Sequence, residues 1–142
     1  MRVAREGARG RIFTLPMERQ TRQRVAIERV FNETRRPLDP QEVLAAARRY
    51  VPRTGIATVY RAIKSLIDDG RVVAVALPGD NARYEPAGRA HHHHFQCRRC
   101  HKVFELEGCS GDFGTVTPPG FRLEDHEVVL YGRCDSCAAV AS

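Results

Sequence analysis

Five cysteines and six histidines are the groups of this 142-residue chain best suited to holding a metal. Cys97-x-x-Cys100 and Cys134-x-x-Cys137 form two like pairs with 33 residues between them. Each pair can set two thiolates on one turn, and two such turns make a tetrahedral Cys₄ zinc site. A redox Cys-x-x-Cys would stand singly, near a βαβ pattern, and the sequence has no such pattern. The odd cysteine count argues against a disulfide framework as well. The reading is a structural Zn²⁺ held by Cys97, Cys100, Cys134 and Cys137. The segment that carries them has about 50 residues and buries too little surface to be stable without a metal or a partner chain.

The run His91-His92-His93-His94 leads into the first pair. Its internal position sets it apart from a purification tag. If residues 91–96 are extended, alternate side chains point to opposite faces. His91 and His93 then share one face, and His92 and His94 share the other, so two pairs of imidazoles aim at two places. A solvated polar strand is the alternative. Glu85 and Glu105 flank the run in sequence, and Asp112 and His126 are candidates for the other face. Mixed N/O donors suit zinc, ferrous iron or manganese, and ligand type alone does not choose among them. A zinc hydrolase would need a positioned base, for which Glu105 is available, and a substrate pocket, for which the sequence carries no sign.

The elements that must position these groups follow from charge and periodicity. The net charge is +6, but residues 1–89 hold 18 Lys and Arg against 10 Asp and Glu, while residues 90–142 hold 5 against 7. Basic charge confined to one half suggests a polyanion partner for that half. No apolar run approaches the roughly 18 residues of a membrane span, and no signal-peptide core is present. The expectation is a soluble cytoplasmic protein without a membrane partner.

Residues 1–16, with Arg2, Arg5, Arg9 and Arg11, read as a flexible basic arm. Over residues 18–32, Val25, Ile27, Val30 and Phe31 recur at helical spacing. Asp39, Pro40 and Glu42 spell a capping box with proline at the first helical position. Residues 55–69 form a third helix closed by Gly70, with Ile56, Val59, Ile63, Leu66 and Ile67 on one side. Ala57, Arg61 and Lys64 lie on the other side, and Tyr60 sits on the flank. A strand over 72–77, a turn at 78–81 and a returning strand over 82–85 follow. Three helices and a hairpin are the order of a winged helix-turn-helix domain, here residues 17–86. Residues 87–90 read as a hinge, and residues 91–142 as a separate metal-binding unit.

Ala57-Thr58-Val59-Tyr60-Arg61, Tyr84-Glu85, and the histidine run entering Cys97-x-x-Cys100 then take on a joint meaning. With Lys102-Val103-Phe104-Glu105, Gly120-Phe121, and His126-x-x-x-Leu130-Tyr131-Gly132-x-Cys134, they make the chain resemble the ferric uptake regulator family of bacterial metal-dependent repressors. The resemblance spans residues 18–137. It implies an α+β protein: an N-terminal winged helix that binds DNA and a small C-terminal α/β dimerisation domain with the structural zinc. It implies a homodimer on a palindromic double-stranded operator, with no small-molecule substrate. It also implies a regulatory metal between the domains near Glu85, His92, His94 and Glu105, and a second site at His91, His93, Asp112 and His126.

Thr58, Tyr60, Arg61 and Lys64, on the third helix, together with Arg53, are the expected DNA contacts. Tyr60 also reads as packing at the edge of the core. The regulatory metal is Zn²⁺, Fe²⁺ or Mn²⁺, and the uninterrupted histidines lean the reading to zinc and to control of zinc uptake genes. A peroxide-sensing regulator of the same family is the alternative. Three departures from the family pattern stand out. Residues 36–39 read Arg-Pro-Leu-Asp where a histidine is frequent. The segment between Glu105 and Phe121 is short and rich in Gly and Pro where a dimerisation helix is usual. Cys109 is extra, and is open to reading as a replacement ligand, a redox-sensitive thiol or, preferred here, a small buried residue.

Overall fold

A computed structural model describes residues 17–109 and 111–140, with the side chains of residues 17–21 excepted. The basic arm expected over residues 1–16 lies outside the described residues. The first unit is three helices, α1 (Met17–Glu33), α2 (Pro40–Ala47) and α3 (Ile56–Asp68), followed by an antiparallel hairpin of β1 (Val72–Val75) and β2 (Arg83–Pro86). The second is a three-stranded sheet in the order β4-β3-β5, with β3 (His92–Cys97) central. β4 (Val103–Glu107) runs antiparallel to β3, and β5 (Val129–Gly132) runs parallel to it. A single 3₁₀ turn (Phe113–Val116) and a short α4 (Asp135–Ala138) complete the described elements. The Gly- and Pro-rich stretch thus holds one turn where a longer helix would need continuous helix formers. Among the described residues no helix is long and apolar enough to cross a membrane.

Local chemistry explains the helix ends. The Asp39 side chain accepts from Glu42 N–H at 2.8 Å, and Glu42 accepts from Asp39 N–H at 3.0 Å. That reciprocal pair satisfies two donors that a helix start leaves open. At the far end of α3, Gly70 takes φ +70°. Gly70 N–H donates to Ile67 O and Arg71 N–H to Leu66 O, a left-handed closure that a Cβ would disfavour.

The apolar core of the first unit gathers Ile27, Val30 and Phe31 of α1, Val43, Leu44 and Ala47 of α2, and Val59, Ile63 and Leu66 of α3. Two residues expected inside lie outside. Val25 is exposed and Ala26 is buried in its stead; Ile67 is also exposed, while Ala62 is buried. The remaining apolar positions stay buried or partly buried, so Val25 and Ile67 mark the edges of the buried arcs, which Ala26 and Ala62 complete.

Besides the meeting of Glu85 with His92 and His94, an apolar contact and a polar strap join the units. Val75, which ends β1, and Leu77, just beyond it, pack with Val103 of β4 and Val129 of β5. Beside them, Gln96 on β3 donates to Asp80 in the hairpin turn at 2.5 Å. Asp80 in turn accepts from Arg83 at 3.1 Å, and Arg83 also reaches Asp39 and Glu42 at 3.4 Å. The buried Arg83 guanidinium is therefore surrounded by three carboxylates, though its Nε finds no partner. Burial is the largest influence on Glu42 and pushes its carboxyl up, but the Arg36 and Asp39 hydrogen bonds and the charges of Arg36 and Arg83 together hold it low.

A lowered folded-state pKa makes the Glu42 contribution complete above the unfolded carboxylate's pKa and lost as pH falls through the folded value. Urea unfolding at stepped acid pH should show Glu42→Gln to be destabilised near neutrality and less sensitive to acid than the parent chain. Leu66→Ala, a fully buried deletion in the first core, should cost about 2–5 kcal/mol in the same assay.

Candidate metal centres

Three groups of donor atoms converge, each with its atoms within 4.8 Å of one another. The first is Cys97, Cys100, Cys134 and Cys137. Cys97 ends β3, Cys100 sits on the turn that follows, Cys134 caps α4, and Cys137 lies within it. His101, with φ +61°, closes the first turn by donating its N–H to Cys97 O at 2.9 Å. The Cys100 and Cys134 sulfurs are 3.8 Å apart. That is far from a disulfide bond of about 2.05 Å. It equals the edge of a tetrahedron with Zn–S of about 2.3 Å, an edge of about 3.8 Å. Backbone N–H groups, that of Cys100 first and then that of Cys134, lower the Cys97 thiol to about 5, while its sulfur neighbours, Cys134 foremost, and burial push Cys137 up to about 12. Four adjacent sulfurs repel each other's ionisation, and a dication removes that conflict.

The second group is Glu85 of β2 with His92 and His94 of β3. Alternation along β3 puts the two imidazoles on one face, and the buried Glu85 carboxylate meets both: Oε1 lies 2.9 Å from His92 Nε2, and Oε2 lies 3.3 Å from His94 Nε2. His92 Nδ1 is 2.7 Å from Ala90 O and donates to it, because a carbonyl can only accept. A neutral His92 then turns the lone pair of Nε2 toward a carboxylate oxygen. Two acceptors at that distance need a proton or a metal cation between them. Burial, the largest influence on Glu85, pushes its carboxyl up, yet the two histidines outweigh it and the net displacement is downward.

Glu105 sits opposite His94 on β4, but its carboxylate is ion-paired with Arg89 and stands outside the Glu85 group. The expected four-residue set is therefore three residues here, because a hinge arginine claims the fourth. The stretch 36–39 sends no further donor to the group.

The third group is His91, His93, Cys109 and His126. His91 Nε2 lies 3.2 Å from both His93 Nε2 and His126 Nε2, and Cys109 Sγ lies 3.0 Å from His126 Nε2. His93 is buried, and Val128 N–H donates to its Nδ1, which turns Nε2 into the cluster. Burial first, and the surrounding imidazoles second, lower the His93 pKa. Two expectations are corrected. Asp112 is spent as the cap of the 3₁₀ turn, its Oδ1 accepting from Gly114 N–H at 3.0 Å. Cys109 is exposed rather than buried and fills the fourth place, since Gly108 at φ +80° turns the chain after β4. The sequence signal that could have found it was the extra cysteine itself, one loop beyond β4.

On α3, Tyr60, Arg61 and Lys64 are exposed and Thr58 is half-buried, all on the side away from the core. Arg61 donates to Thr58 Oγ1 at 3.2 Å, and Lys64 pairs with Asp68 at 3.0 Å. Tyr60, 54% exposed, is not a core-edge residue. Arg53 is exposed just before α3.

If the thiol group is a closed structural site, Cys134→Ser should lower the zinc bound per chain by about one equivalent and loosen the C-terminal sheet, because structural zinc supplies folding free energy directly. Metal content after chelator dialysis, with a thermal melt alongside, reads both effects. Full zinc retention would show that these sulfurs are not ligands.

The profile of the Ferric uptake regulator family matches residues 17–131. The chain is 30% identical over 123 residues to "Transcriptional regulator FurA" of Mycobacterium tuberculosis, a stretch that is 84% of this chain and 83% of that protein. It superposes on a structure described as a "zinc-bound manganese uptake regulator" with TM-score 0.68 and 27% identity, over 79% of this chain and 87% of that one. The ferric uptake regulator of Francisella tularensis with iron superposes with TM-score 0.65 and 25% identity, over 90% and 98% of the two chains. These likenesses leave no place for the hydrolase reading. With its helical DNA-binding unit, its C-terminal sheet and its thiol cluster, the chain belongs to the ferric uptake regulator family and is a metal-responsive transcriptional regulator.

Proposed function

We propose that this regulator is a homodimeric repressor whose operator binding is switched on by zinc at Glu85, His92 and His94, and that it controls zinc uptake genes. The observation that carries the proposal is the convergence of Glu85, from the hairpin of the DNA-binding unit, with His92 and His94, from the C-terminal sheet. Residues 87–90 between them act as the hinge, with Gly88 at φ +78°. Drawn to one cation, the three ligands hold β2 against β3 and so fix the winged helix relative to the dimer. In a two-fold dimer this sets the separation of two copies of α3, which must match the half-site spacing of a palindrome. Without the cation the carboxylate and imidazoles lose their common partner, the competent arrangement becomes a minor population, and apparent affinity falls by that fraction.

Zinc is favoured by donor chemistry. Imidazole suits zinc well, and the third group adds a thiolate donor, softer than the oxygen donors that manganese prefers. Structural zinc at the four cysteines completes the metal complement. Iron is the second reading, supported by the names of relatives such as "Ferric uptake regulation protein 2" of Mycolicibacterium fortuitum, 28% identical over 130 residues. On the DNA side, α3 enters the major groove. Arg61 meets a guanine edge or phosphate, Tyr60 contacts backbone or a thymine methyl, and Thr58, Lys64 and Arg53 bind phosphates.

Fluorescence anisotropy on the protein's own promoter fragment, in buffered free zinc and then in manganese as a stand-in for ferrous iron, tests this reading. Tight binding should appear at very low free zinc, and His94→Ala should raise the zinc requirement by at least about 10–100-fold. Activation by manganese alone would move the metal to iron, and metal-indifferent binding would overturn the switch. Arg61→Ala should cost about 1–3 kcal/mol of operator affinity without altering zinc dependence. Affinity should also fall steeply with salt, as phosphate contacts require.

A further inference from the structure

Cys109 differs from the buried Cys97 and Cys134 in that its sulfur is open to solvent. It also differs from an isolated surface thiol. Three imidazoles converge beside it, and one of them, His93, is only 5% exposed. The four donors come from separate pieces of chain: His91 from just before β3, His93 from within it, Cys109 from the loop after β4, and His126 from the loop before β5. The Phe113 ring packs on His126, centroid to centroid 4.5 Å, and forms a wall of the group. Behind the sulfur lies a half-open cleft of about 410 Å³ lined by His93, Leu106, Cys109, Phe113, Val128 and Leu130. A small neutral oxidant has room to reach the thiol from that side.

Hydrogen bonding by itself does not satisfy the group. With Val128 N–H donating to His93 Nδ1, the proton of the neutral His93 ring is on Nε2 and goes to His91 Nε2. The Cys109 S–H is 3.0 Å from His126 Nε2 and donates there. His91 Nε2 and His126 Nε2, 3.2 Å apart, then face each other as two acceptors. A divalent cation among the four atoms removes that conflict, displacing the thiol proton and moving the His93 proton from Nε2 to Nδ1, where the 3.2 Å Val128 N–H contact must give way. Three imidazoles and one thiolate are a tetrahedral donor set that suits zinc.

We propose that Cys109 binds this metal as a thiolate and that its oxidation by a hydroperoxide releases the metal, giving the regulator a redox input separate from the Glu85 switch. The inference rests on the third group being a metal site, and deepens that reading. In the step, the Cys109 thiolate attacks one oxygen of hydrogen peroxide. The S–O bond forms as the O–O bond breaks, sulfur loses two electrons, and the other oxygen leaves as hydroxide, which a buffer acid protonates to water. The resulting sulfenic acid is a weak ligand, and a site of three imidazoles with His91 exposed no longer retains the ion. Two equivalents of a low-molecular-weight thiol reverse the change: the first forms a mixed disulfide and releases water, and the second frees the Cys109 thiol and leaves as the small disulfide. Loss of the ion unties the two loops from β3, while Cys97 and Cys134 of the Cys₄ cluster are buried.

The test uses the full chain with zinc retained at the four cysteines and cobalt added back to the open sites. A sulfur-to-cobalt charge-transfer band should appear on addition and be absent in Cys109→Ser, whose circular dichroism checks that the fold is kept. With zinc restored, limiting hydrogen peroxide should release metal to a chromogenic chelator at least about tenfold faster from the parent chain than from Cys109→Ser. A sulfenic acid trap followed by mass spectrometry should mark Cys109. If His91→Ala and Cys109→Ser both leave the metal content of the parent chain unchanged, the third group is no metal site and the underlying reading fails. If His91→Ala loses metal but the cobalt spectrum lacks the sulfur band, or release is equally fast in Cys109→Ser, the site stands and the thiolate switch is overturned. Oxygen found on a histidine instead of Cys109 would overturn it as well.

Discussion

A buried carboxylate facing two imidazoles is the constraint on which the rest of this molecule turns. Glu85 lies on the last strand of the DNA-binding unit, and His92 and His94 lie on the first strand of the C-terminal sheet. Because Ala90 O occupies the Nδ1 proton of His92, the carboxylate meets a lone pair unless a positive charge intervenes. Burying acceptor against acceptor is costly without a proton or a cation between them, whereas a purely apolar joint carries no such cost. The hinge, the strand alternation and the helical domain all serve to bring that carboxylate to those rings.

A second connection gives the joint an orientation. Val75 and Leu77 against Val103 and Val129 supply a small apolar contact, and Gln96 holds the hairpin turn through Asp80. From Asp80 the polar chain continues to Arg83 and on to Asp39 and Glu42, the residues that cap α2. Gln96 is two residues beyond His94 on β3, and Arg83 is two residues before Glu85 on β2. Period-two geometry therefore puts the ligands and the strap on the same faces of the same two strands. Hydrogen bonds thus run without a break from β3, beside the Glu85 group, to the start of the second helix.

Much of this was legible in the sequence because it is local. The capping box at residues 39–42, the closure of α3 at Gly70, the two Cys-x-x-Cys turns and the alternation of the histidines depend only on spacing along the chain, and each is present in the structure. Other assignments went astray where a competing partner decided the outcome. Asp112 caps a turn, Glu105 pairs with Arg89, and Val25 and Ile67 fall just outside the buried arcs of their helices. Carboxylates are interchangeable in a motif, and only the neighbour within reach distinguishes a ligand from a cap or an ion pair.

The sequence by itself determined which chemistry was possible: two thiol pairs, two faces of imidazole, a basic recognition helix and an order of elements able to carry them. It did so because side-chain direction follows from helical and strand periods that any short segment possesses. The tertiary structure decided which donor atoms converge. Cys109 is 17 residues from His126 and 16 from His93, and no local rule joins them. Their meeting depends on β4 and β5 flanking β3 in one sheet, which brings the loops beyond both strands over the same end of the central strand. The packing that brings Cys109, rather than Asp112, beside the three imidazoles is a property of the folded sheet alone.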